Sequence, residues 1–358
     1  MKACLKEIET LSNAIGRPMR LMEVCGTHTV AIFRHGLRGL LPKEISLLSG
    51  PGCPVCVTPV KDVDLAIEMA GMPNVILATF GDMMRVPGGR GSLQEARAEG
   101  ADIRVVYSPM DALELALKYP LKEVVFFATG FETTSPLIAA TLYEAQRLGI
   151  GNFCIHSAHK LIPPALKALL DSGEVNVDGF ILPGHVSTII GKSPYEFIAR
   201  VYGKPSVITG FEAREIIEGI LMLLRQMAGG RAEVEIEYKK AVKAEGNPKA
   251  LALIRKYFEQ EDANWRGIGT IPESGLQLKE AFSGFDAVKK LGPEVPESNE
   301  PKACACGEIL KGIKTPPECL LFGKACTPER PVGACMVSTE GSCAAYYKYD
   351  YKYGGYNG

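Results

Sequence analysis

Short apolar segments recur along the first two-thirds of the chain, and stretches of mixed polar and apolar character separate them. Such short, nearly continuous apolar runs are typical of strands that are buried on both faces of a sheet. Residues 109–119 and 136–148 place apolar side chains at helical spacing, so helices are expected there. Strands that alternate with helices predict an α/β fold with parallel sheets. The predicted strands are residues 21–24, 44–48, 74–80, 103–107, 124–128, 153–156, 179–182 and 206–209.

A weak internal repeat suggests that the fold is built twice. Thr129-Gly-Phe-Glu132 recurs as Thr209-Gly-Phe-Glu212, and the segment Ser49–Cys56 has a counterpart without sulfur at Leu182–Ser187. We therefore expect two similar parallel-sheet α/β domains that face each other across a cleft. The loops that follow the strands of both domains would then meet at one site. The expected domain ranges are residues 21–122 and 123–230.

The character of the chain changes after the second expected domain. Residues 233–240 and 249–259 are rich in charge and are predicted as helices, and residues 292–301 are rich in proline and polar residues, as in a linker. The linker leads to a cysteine-rich segment, so residues 231–358 are expected to form a third region. Residues 1–20 begin with alternating charged and apolar side chains, which predicts an N-terminal helix.

Composition and charge narrow the possible functions. The chain has 358 residues and a formal net charge of -1, which gives no indication of a nucleic-acid or acidic-membrane partner. The N-terminus lacks the continuous apolar segment of a signal peptide or a membrane span, so a cytoplasmic protein is expected. In a large chain of this kind, 11 cysteines point to metal or redox chemistry rather than to structural disulfides.

Three cysteines and a histidine lie near the front of the chain. Cys25 ends the first predicted strand and precedes a predicted helix, whose N-terminal partial charge would favour the thiolate. His28 is a candidate base or supporting donor for that thiolate, with a buried structural histidine as the alternative. Cys53 and Cys56 have the spacing of a dithiol that can form a disulfide or join Cys25 in a metal site. Without a second Cys-x-x-Cys pair, structural zinc is disfavoured.

Two polar loops follow predicted strands further along the chain. Residues 79–90 contain Asp82 and Arg85, and a later loop contains Glu132. Neither loop matches a phosphate-binding or dinucleotide-binding fingerprint. We therefore expect these side chains, together with His185, to shape a polar cofactor-binding cleft rather than a nucleotide site. Ordinary solvated turns are the alternative.

The strongest chemical signal is a group of six cysteines in the last sixty residues. Four thiolates are what a cubane iron–sulfur cluster requires, and two would remain as a redox pair. Zinc is the alternative, but the spacing does not follow the paired pattern of zinc fingers. Spacing alone does not select the four ligands. The six are Cys304, Cys306, Cys319, Cys326, Cys335 and Cys343.

Together these motifs resemble the HypD family of hydrogenase maturation proteins, and the resemblance runs through most of the chain. The matching segments are long and specific, and no cysteine position departs from the family pattern. They are Cys-Gly-Thr-His-Thr (25–29), Gly-Pro-Gly-Cys-Pro-Val-Cys (50–56), Ala-Thr-Phe-Gly-Asp-Met-Met-Arg-Val-Pro-Gly (78–88), Ala-Thr-Gly-Phe-Glu-Thr-Thr (128–134), Pro-Gly-His-Val-Ser (183–187) and Cys-Met-Val-Ser-Thr-Glu-Gly-Ser-Cys (335–343).

The resemblance implies a role in building the Fe(CN)2CO group of the [NiFe]-hydrogenase active site, as an assembly scaffold rather than a simple turnover enzyme. HypC would form a stable complex with the chain, and HypE would deliver cyanide transiently. Cys25 would bind the transient Fe(CN)2CO iron together with a cysteine of HypC, and His28 would support it. Cys53 and Cys56 would supply or relay electrons as a dithiol. Thiolate ligands suit low-spin iron that carries cyanide and carbonyl groups.

The resemblance also implies a resident [4Fe-4S] cluster in a third region built from both chain ends, with residues 1–20 packing against it. Two other functions stay open: a free-standing thiol–disulfide oxidoreductase, and a structural scaffold whose cluster only stabilises the fold. The implied cluster ligands are Cys304, Cys319, Cys326 and Cys343, with Cys306 and Cys335 as a redox pair.

Overall fold

The computed structural model describes residues 1–297 and 300–351. All eight predicted strands are present, and three more follow them in the sequence. The strands are β1 (Met19–Glu23), β2 (Ile45–Ser49), β3 (Val75–Thr79), β4 (Ile103–Val105), β5 (Glu123–Ala128), β6 (Phe153–Ser157), β7 (Gly179–Pro183), β8 (Ser206–Thr209), β9 (Val234–Ile236), β10 (Phe258–Trp265) and β11 (Gly269–Leu278).

Helices connect most of the strands, and the helices predicted over residues 109–119 and 136–148 are confirmed. Several begin with proline in their first turn, where its missing N–H costs nothing. The helices are α1 (Lys2–Ile15), α2 (Gly26–Arg34), α3 (Pro54–Val57), α4 (Val60–Ala70), α5 (Leu93–Ala98), α6 (Pro109–Lys118), α7 (Ser135–Leu148), α8 (Ile162–Asp171), α9 (Gly184–Ile190), α10 (Glu196–Arg200), α11 (Ala213–Ala228), α12 (Pro248–Tyr257), α13 (Ala287–Leu291), α14 (Cys306–Leu310), α15 (Ala334–Val337) and α16 (Ser342–Tyr346).

The strands form two parallel sheets, as predicted. The first has the order β2-β1-β7-β8-β9, and the second has the order β4-β3-β5-β6. In the first sheet Leu21 of β1 lies opposite Leu47 of β2 and Gly179 of β7. The chain therefore moves to one side of β1 to form β2 and later to the other side to form β7. This change of direction makes the carboxyl end of β1 a topological switch point, where open α/β sheets usually bind their ligands.

The strand pairing crosses the expected boundary between residues 122 and 123. β3 pairs with β5 across that boundary, and β1 pairs with β7. The first sheet thus takes its strands from two separate stretches of chain, and the second sheet is inserted between them. A cleft between the strand-end loops of the two sheets stays a prediction.

The N-terminal helix packs on the first sheet. α1 lies against α11, and Ile8 is fully buried in an apolar cluster that includes Ile217 and Ile220. At the edge of this contact Glu7 Oε1 lies 2.7 Å from Arg225 Nε. Of residues 1–20, Arg20 reaches the C-terminal segment, where its Nη2 donates to the Gly312 carbonyl at 3.1 Å. A third region built from both chain ends stays a prediction.

The region after the second expected domain differs from its prediction in two places. Residues 233–240 were expected to be helical, but β9 forms there and pairs with β8. The alternation of Val234 and Ile236 with charged residues has the period of a strand, and this outweighs the high charge. β10 and β11 form an antiparallel hairpin that was not predicted. Trp265 anchors it, since its Nε1 donates to Ser274 Oγ at 2.8 Å in the core.

One apolar core connects both sheets with the cysteine-rich segment. It contains Met22 from the first sheet, Leu77 from the second, Trp265 from the hairpin and Cys335 from the C-terminal segment. The C-terminal segment is therefore part of the same packed body as the two sheets. Among the described residues, no helix has the length and apolar character needed to cross a membrane.

Candidate functional site

Cys25 lies directly after β1, at the switch point of the first sheet. It is the N-cap of α2, with extended backbone angles, and its amide donates to Glu23 Oε2 at 3.1 Å. The next amide, that of Gly26, donates to the Gly52 carbonyl at 3.0 Å. Gly52 is needed at this point because a Cβ atom there would overlap the backbone of Cys25. The Cys25 motif and the Gly50–Cys56 motif are thus packed directly together.

Burial controls the charge states of the Cys25 thiol and the Glu23 carboxyl. Burial raises the pKa of the Cys25 thiol to about 12, and the Glu340 carboxylate adds to the effect. Burial also raises the pKa of the Glu23 carboxyl to about 8, despite hydrogen bonds from Thr29 and from the Cys25 amide. The predicted thiolate form of Cys25 is therefore wrong for the chain alone, because desolvation outweighs the helix N-terminus. A metal that binds Cys25 must displace its proton.

Cys53 and Cys56 form a disulfide, with their Cα atoms 5.2 Å apart. They occupy the first turn of α3, where the Cys56 amide donates to Cys53 Sγ at 3.2 Å. Ser338 Oγ from the C-terminal segment lies 3.4 Å from the same sulfur. The predicted dithiol/disulfide pair is therefore present in its oxidised form, and it contacts the segment that carries the other cysteine group.

A carboxylate from that same C-terminal segment closes over the Cys25 loop. Thr27 Oγ1 donates to Glu340 Oε1 at 2.7 Å. A Cβ atom on Gly26 would lie 2.5 Å from Glu340 Cβ, so only glycine permits this close approach. Glu340 lies inside the matching segment 335–343, but its spacing from Cys25 gave no sign that the two would meet.

His28 is buried, and its hydrogen bonds go to residues other than Cys25. Its Nε2 donates to the Gly210 carbonyl at 2.9 Å and lies 2.9 Å from Thr209 Oγ1. Its Nδ1 has no hydrogen-bond partner in the described part of the chain. Burial lowers the pKa of His28 to about 4, so the imidazole is neutral at physiological pH. The supporting role predicted for His28 stays a prediction.

Phe211 joins His28 to His185 in a three-ring stack. The Phe211 ring centroid lies 4.6 Å from that of His28 and 3.9 Å from that of His185. His185 is exposed at the start of α9, so the stack connects the surface to the buried imidazole. Phe211 was not predicted as a site residue, although it belongs to the Thr-Gly-Phe-Glu repeat that the sequence shows.

The other polar residues predicted for a shared cleft contact different parts of the chain. Asp82 and Arg85 are exposed on a 3-10 turn, and Arg85 donates to the Pro328 carbonyl. Glu132 is buried after β5, where its Oε1 accepts the Ile162 amide at 3.1 Å. Burial raises the pKa of the Glu132 carboxyl to about 7. These contacts do not group the three with His185.

All six C-terminal cysteines line one small cavity, together with apolar side chains. Cys304 is half-buried and the other five are buried. Cys306 Sγ and Cys335 Sγ lie 3.0 Å apart, and Cys326 Sγ accepts the Val332 amide at 3.3 Å. A Cβ atom on Gly333 would lie 2.7 Å from Cys304 Sγ, so glycine keeps the cavity open. The apolar lining residues are Ile309, Leu321, Phe322 and Met336.

The donor side chains that line this cavity are all cysteines. Within residues 1–297 and 300–351, no three His, Cys, Asp or Glu side chains converge closely enough to hold one metal ion. A cubane differs because its four iron corners take four thiolates at separate points. Six sulfurs around an apolar cavity, with no carboxylate or imidazole in the lining, fit such a cluster. The predicted cysteines are thus brought together.

Two further charged residues were missed from the sequence. Glu23 accepts the Cys25 amide, and Arg266, in the turn of the β10–β11 hairpin, donates its own amide to the Val57 carbonyl. Both side chains are buried. Charged side chains are rarely buried without a partner, so the burial of these two residues identifies them as candidate site residues. Burial of a single charged residue in a loop or at a strand end leaves no pattern in the sequence.

Comparison with known proteins agrees with this arrangement. The family model described as HypD, hydrogenase formation hypA family, matches residues 1–350. The hydrogenase expression/formation protein HupD of Azotobacter chroococcum is 52% identical over 340 residues, which cover 93% of this chain and 90% of that protein. The hydrogenase maturation factor HypD of Azotobacter vinelandii has the same identity and coverage. That of Escherichia coli is 45% identical over 340 residues, with 95% and 91% coverage. The chain therefore belongs to the HypD family of hydrogenase maturation factors.

Proposed function

We propose that this chain acts in the cytoplasm with HypC as the scaffold on which the Fe(CN)2CO group of [NiFe]-hydrogenase is assembled, accepting cyanide from HypE. The observation that carries the proposal is the packing of Cys25 against the Cys53–Cys56 loop at the switch point of the first sheet. One thiol that can bind iron and one disulfide that can accept electrons lie side by side there. This combination suits ligand assembly on a metal better than either group alone.

Cys25 is the proposed ligand of the iron, which is the substrate of the assembly. Cys25 is 9% exposed as a whole residue, so an iron held by a partner protein must approach a largely buried side chain. Loss of the thiol proton accompanies binding, because thiolate is the form that binds metal. Glu23 holds the Cys25 amide and the Glu340 segment covers the loop, so both fix the direction in which the sulfur points.

Cys53 and Cys56 are the proposed electron relay beside the iron. Reduction of their disulfide takes up two electrons and two protons and gives two thiols, and oxidation returns them. The Ser338 hydroxyl beside Cys53 connects this pair to the C-terminal segment. A further dithiol pair in that segment would extend the relay.

The proposed cluster ligands are Cys304, Cys319, Cys326 and Cys343, with Cys306 and Cys335 as the second redox pair. The 3.0 Å separation of Cys306 Sγ from Cys335 Sγ supports keeping these two as a pair. When bound, a [4Fe-4S] cluster supplies electrons one at a time. The chain's own part is to hold the thiolates in an apolar cavity that excludes water.

Infrared spectroscopy of the anaerobically purified complex with HypC tests the proposal. Bands of metal-bound cyanide and carbonyl are expected in the native chain and are expected to be lost in Cys25→Ala. Cys154→Ala is the matched control, since Cys154 is buried in β6 and should leave the bands unchanged. Bands that survive Cys25→Ala would show that the iron is bound elsewhere, and an absence of bands in the native complex would count against assembly on this chain.

The two other functions make different predictions for the Cys53–Cys56 pair. A free-standing thiol–disulfide oxidoreductase must expose its sulfur to a protein disulfide, but Cys53 is 4% and Cys56 is 0% exposed. Reduction of insulin disulfides without HypC would favour that function. If the cluster only stabilises the fold, Cys56→Ala should leave hydrogenase maturation intact. Loss of maturation with normal folding and an intact cluster would remove this alternative.

A further inference from the structure

Ser338 connects the Cys53–Cys56 disulfide to the helix that carries one of the cavity cysteines. It directly follows α15, which contains Cys335, and its amide donates to the Ala334 carbonyl at 3.1 Å. A Cβ atom on Gly341 would overlap the Cys335 carbonyl, so the turn after Ser338 packs tightly on this helix. Ser338 is 1% exposed. Its side chain is therefore held beside the disulfide in a place almost closed to water.

The hydrogen bonds of Ser338 determine where its hydroxyl proton points. Ser338 Oγ accepts the Glu340 amide at 3.2 Å and lies 3.4 Å from Cys53 Sγ. Cys53 is part of a disulfide, so its sulfur has no proton to donate. The bond between the two atoms must therefore be donated by the serine. The Ser338 hydroxyl thus donates to Cys53 Sγ.

The two sulfurs of the disulfide have different surroundings. Cys53 Sγ accepts two hydrogen bonds, from the Ser338 hydroxyl and from the Cys56 amide at 3.2 Å. Nowhere in the described part of the chain does a hydrogen-bond donor reach Cys56 Sγ. Cys53 is 4% and Cys56 is 0% exposed, so water does not even out this difference. The site therefore treats the two sulfurs unequally.

The inequality favours one product of reduction. A neutral sulfur is a weak hydrogen-bond acceptor, whereas a hydrogen bond to a charged acceptor such as thiolate is about twice as strong as a neutral one. Both donors on Cys53 are therefore strengthened when the pair is reduced. We propose that Ser338 is a positioning residue of the electron relay: its hydroxyl directs the negative charge of the reduced pair to Cys53 Sγ and raises the reduction potential of the disulfide. The inference rests on the proposed function, which assigns the relay role to this pair.

The reduction step balances without a further group from the protein. Two electrons and one proton break the S–S bond and give a Cys53 thiolate and a Cys56 thiol. The proton goes to Cys56 Sγ, the sulfur without a donor. A dithiol reductant such as dithiothreitol supplies the two electrons, loses two protons and becomes a disulfide itself. One of its protons is taken up by Cys56, and the other is released to water.

Redox titration of the full-length chain in dithiothreitol buffers tests this role. Acid quenching, alkylation in urea and peptide mass spectrometry then measure the reduced fraction of this one pair. Ser338→Ala should lower the equilibrium constant for its reduction at least tenfold, which for a two-electron couple is about 30 mV. Ser338→Thr keeps the hydroxyl and should retain most of the potential. Thr339→Ala removes an exposed hydroxyl from the neighbouring residue and should leave the potential unchanged.

A further variant separates the hydroxyl from the turn that it supports. Ser338→Ala also removes the acceptor of the Glu340 amide, so Glu340 can shift. Thr27→Val breaks the hydrogen bond that holds the Glu340 carboxylate but leaves the Ser338 hydroxyl in place. The potential of Thr27→Val should stay close to that of the native chain. A shift as large as that of Ser338→Ala would show that the position of Glu340 is the cause, and would overturn the proposal.

The site of alkylation provides a second readout, which the native chain alone can give. Iodoacetamide reacts with thiolate, so a limiting amount added to the reduced, folded native chain should label Cys53 more than Cys56. Ser338→Ala should reduce this excess. A native chain that is labelled equally at both sulfurs, or more at Cys56, would overturn the proposal without reference to any variant.

The outcomes separate this inference from the proposed function. Infrared bands in the native complex with HypC, together with an unchanged potential in Ser338→Ala, would overturn the role of Ser338 alone. A native complex without such bands would remove the assembly function and with it the relay role, whereas the effect of Ser338 on the potential would still be measured. A shift in Ser338→Thr equal to that in Ser338→Ala would point to packing and would also overturn the proposal.

Discussion

The buried carboxyl of Glu132 predicts a specific dependence of stability on pH. Burial raises its pKa in the folded chain to about 7 from an ordinary value of 4.5. Because the folded chain binds this proton more tightly than the unfolded chain, the contribution to stability is complete below pH 4.5. It is lost as the pH rises through 7, when the folded chain must bury a charge or release it into water.

The size of the effect follows from the two pKa values. The difference between about 7 and 4.5 corresponds to ~3.4 kcal/mol once the carboxyl is fully ionised in both states. At pH 5.0 only a fraction of this is lost, so ~2.5 kcal/mol separates pH 5.0 from pH 8.5. A glutamine at this position imitates the protonated acid and can still accept the Ile162 amide that now reaches Oε1.

Urea unfolding of the native chain and of Glu132→Gln at both pH values measures this difference. The variant should match the native chain within ~1 kcal/mol at pH 5.0 and exceed its stability by ~2–3 kcal/mol at pH 8.5. Other titrating groups are common to both chains and cancel in the comparison. Glu259→Gln, at an exposed position on β10, is the control and should show no pH-dependent difference. A Glu132→Gln effect that is the same at both pH values would refute the reasoning.

Three more perturbations test the packing around the site and the N-terminal helix. Gly52→Ala should cost ~1–3 kcal/mol or more in thermal unfolding, because its Cβ would overlap Cys25, whereas Gly39→Ala, with open space around it, should be nearly neutral. Equal effects would argue against the close packing. Ile8→Ala should cost ~2–5 kcal/mol, since Ile8 is fully buried against α11, and a neutral result would show that α1 is not docked there. Alkylation of Cys25 by iodoacetamide, followed by peptide mass spectrometry, should rise about tenfold per pH unit between pH 7 and 10, because burial raises the pKa of Cys25 to about 12. A plateau near pH 9 would contradict that value.

The local pattern of the sequence was sufficient for most of the fold. The apolar runs gave the first eight strands to within a few residues, because strands buried on both faces leave a continuous apolar signal. The positions of Cys25 and Cys53 at strand-to-helix junctions were predicted from the same pattern and are confirmed. The hairpin of β10 and β11 was missed because β10 is mostly charged or polar between its first residue, Phe258, and its last, Trp265.

What the sequence could not show depends on contacts between distant residues. The order of strands within a parallel sheet is set by which crossover helices pack on which face, so nothing near β1 indicates that β7 is its neighbour. The charge state of Cys25 was predicted from its position at a helix start, but burial under Glu340 decides it. The burial of Arg266 likewise depends on residues distant in the sequence, and no motif predicts it.

The divided first sheet also has a consequence for the order of events during synthesis. β1 and β2 emerge from the ribosome early, but the strand on the other side of β1 follows only after the whole second sheet has been made. The partner of Thr27 is made later still, because Glu340 lies 313 residues further along the chain. At ribosomal rates of about 5–20 residues per second, this separation leaves the Cys25 loop without its cover for roughly 15 to 60 seconds. A chain still being translated thus has the Cys25 thiol but not the enclosure that Glu340 forms around its loop.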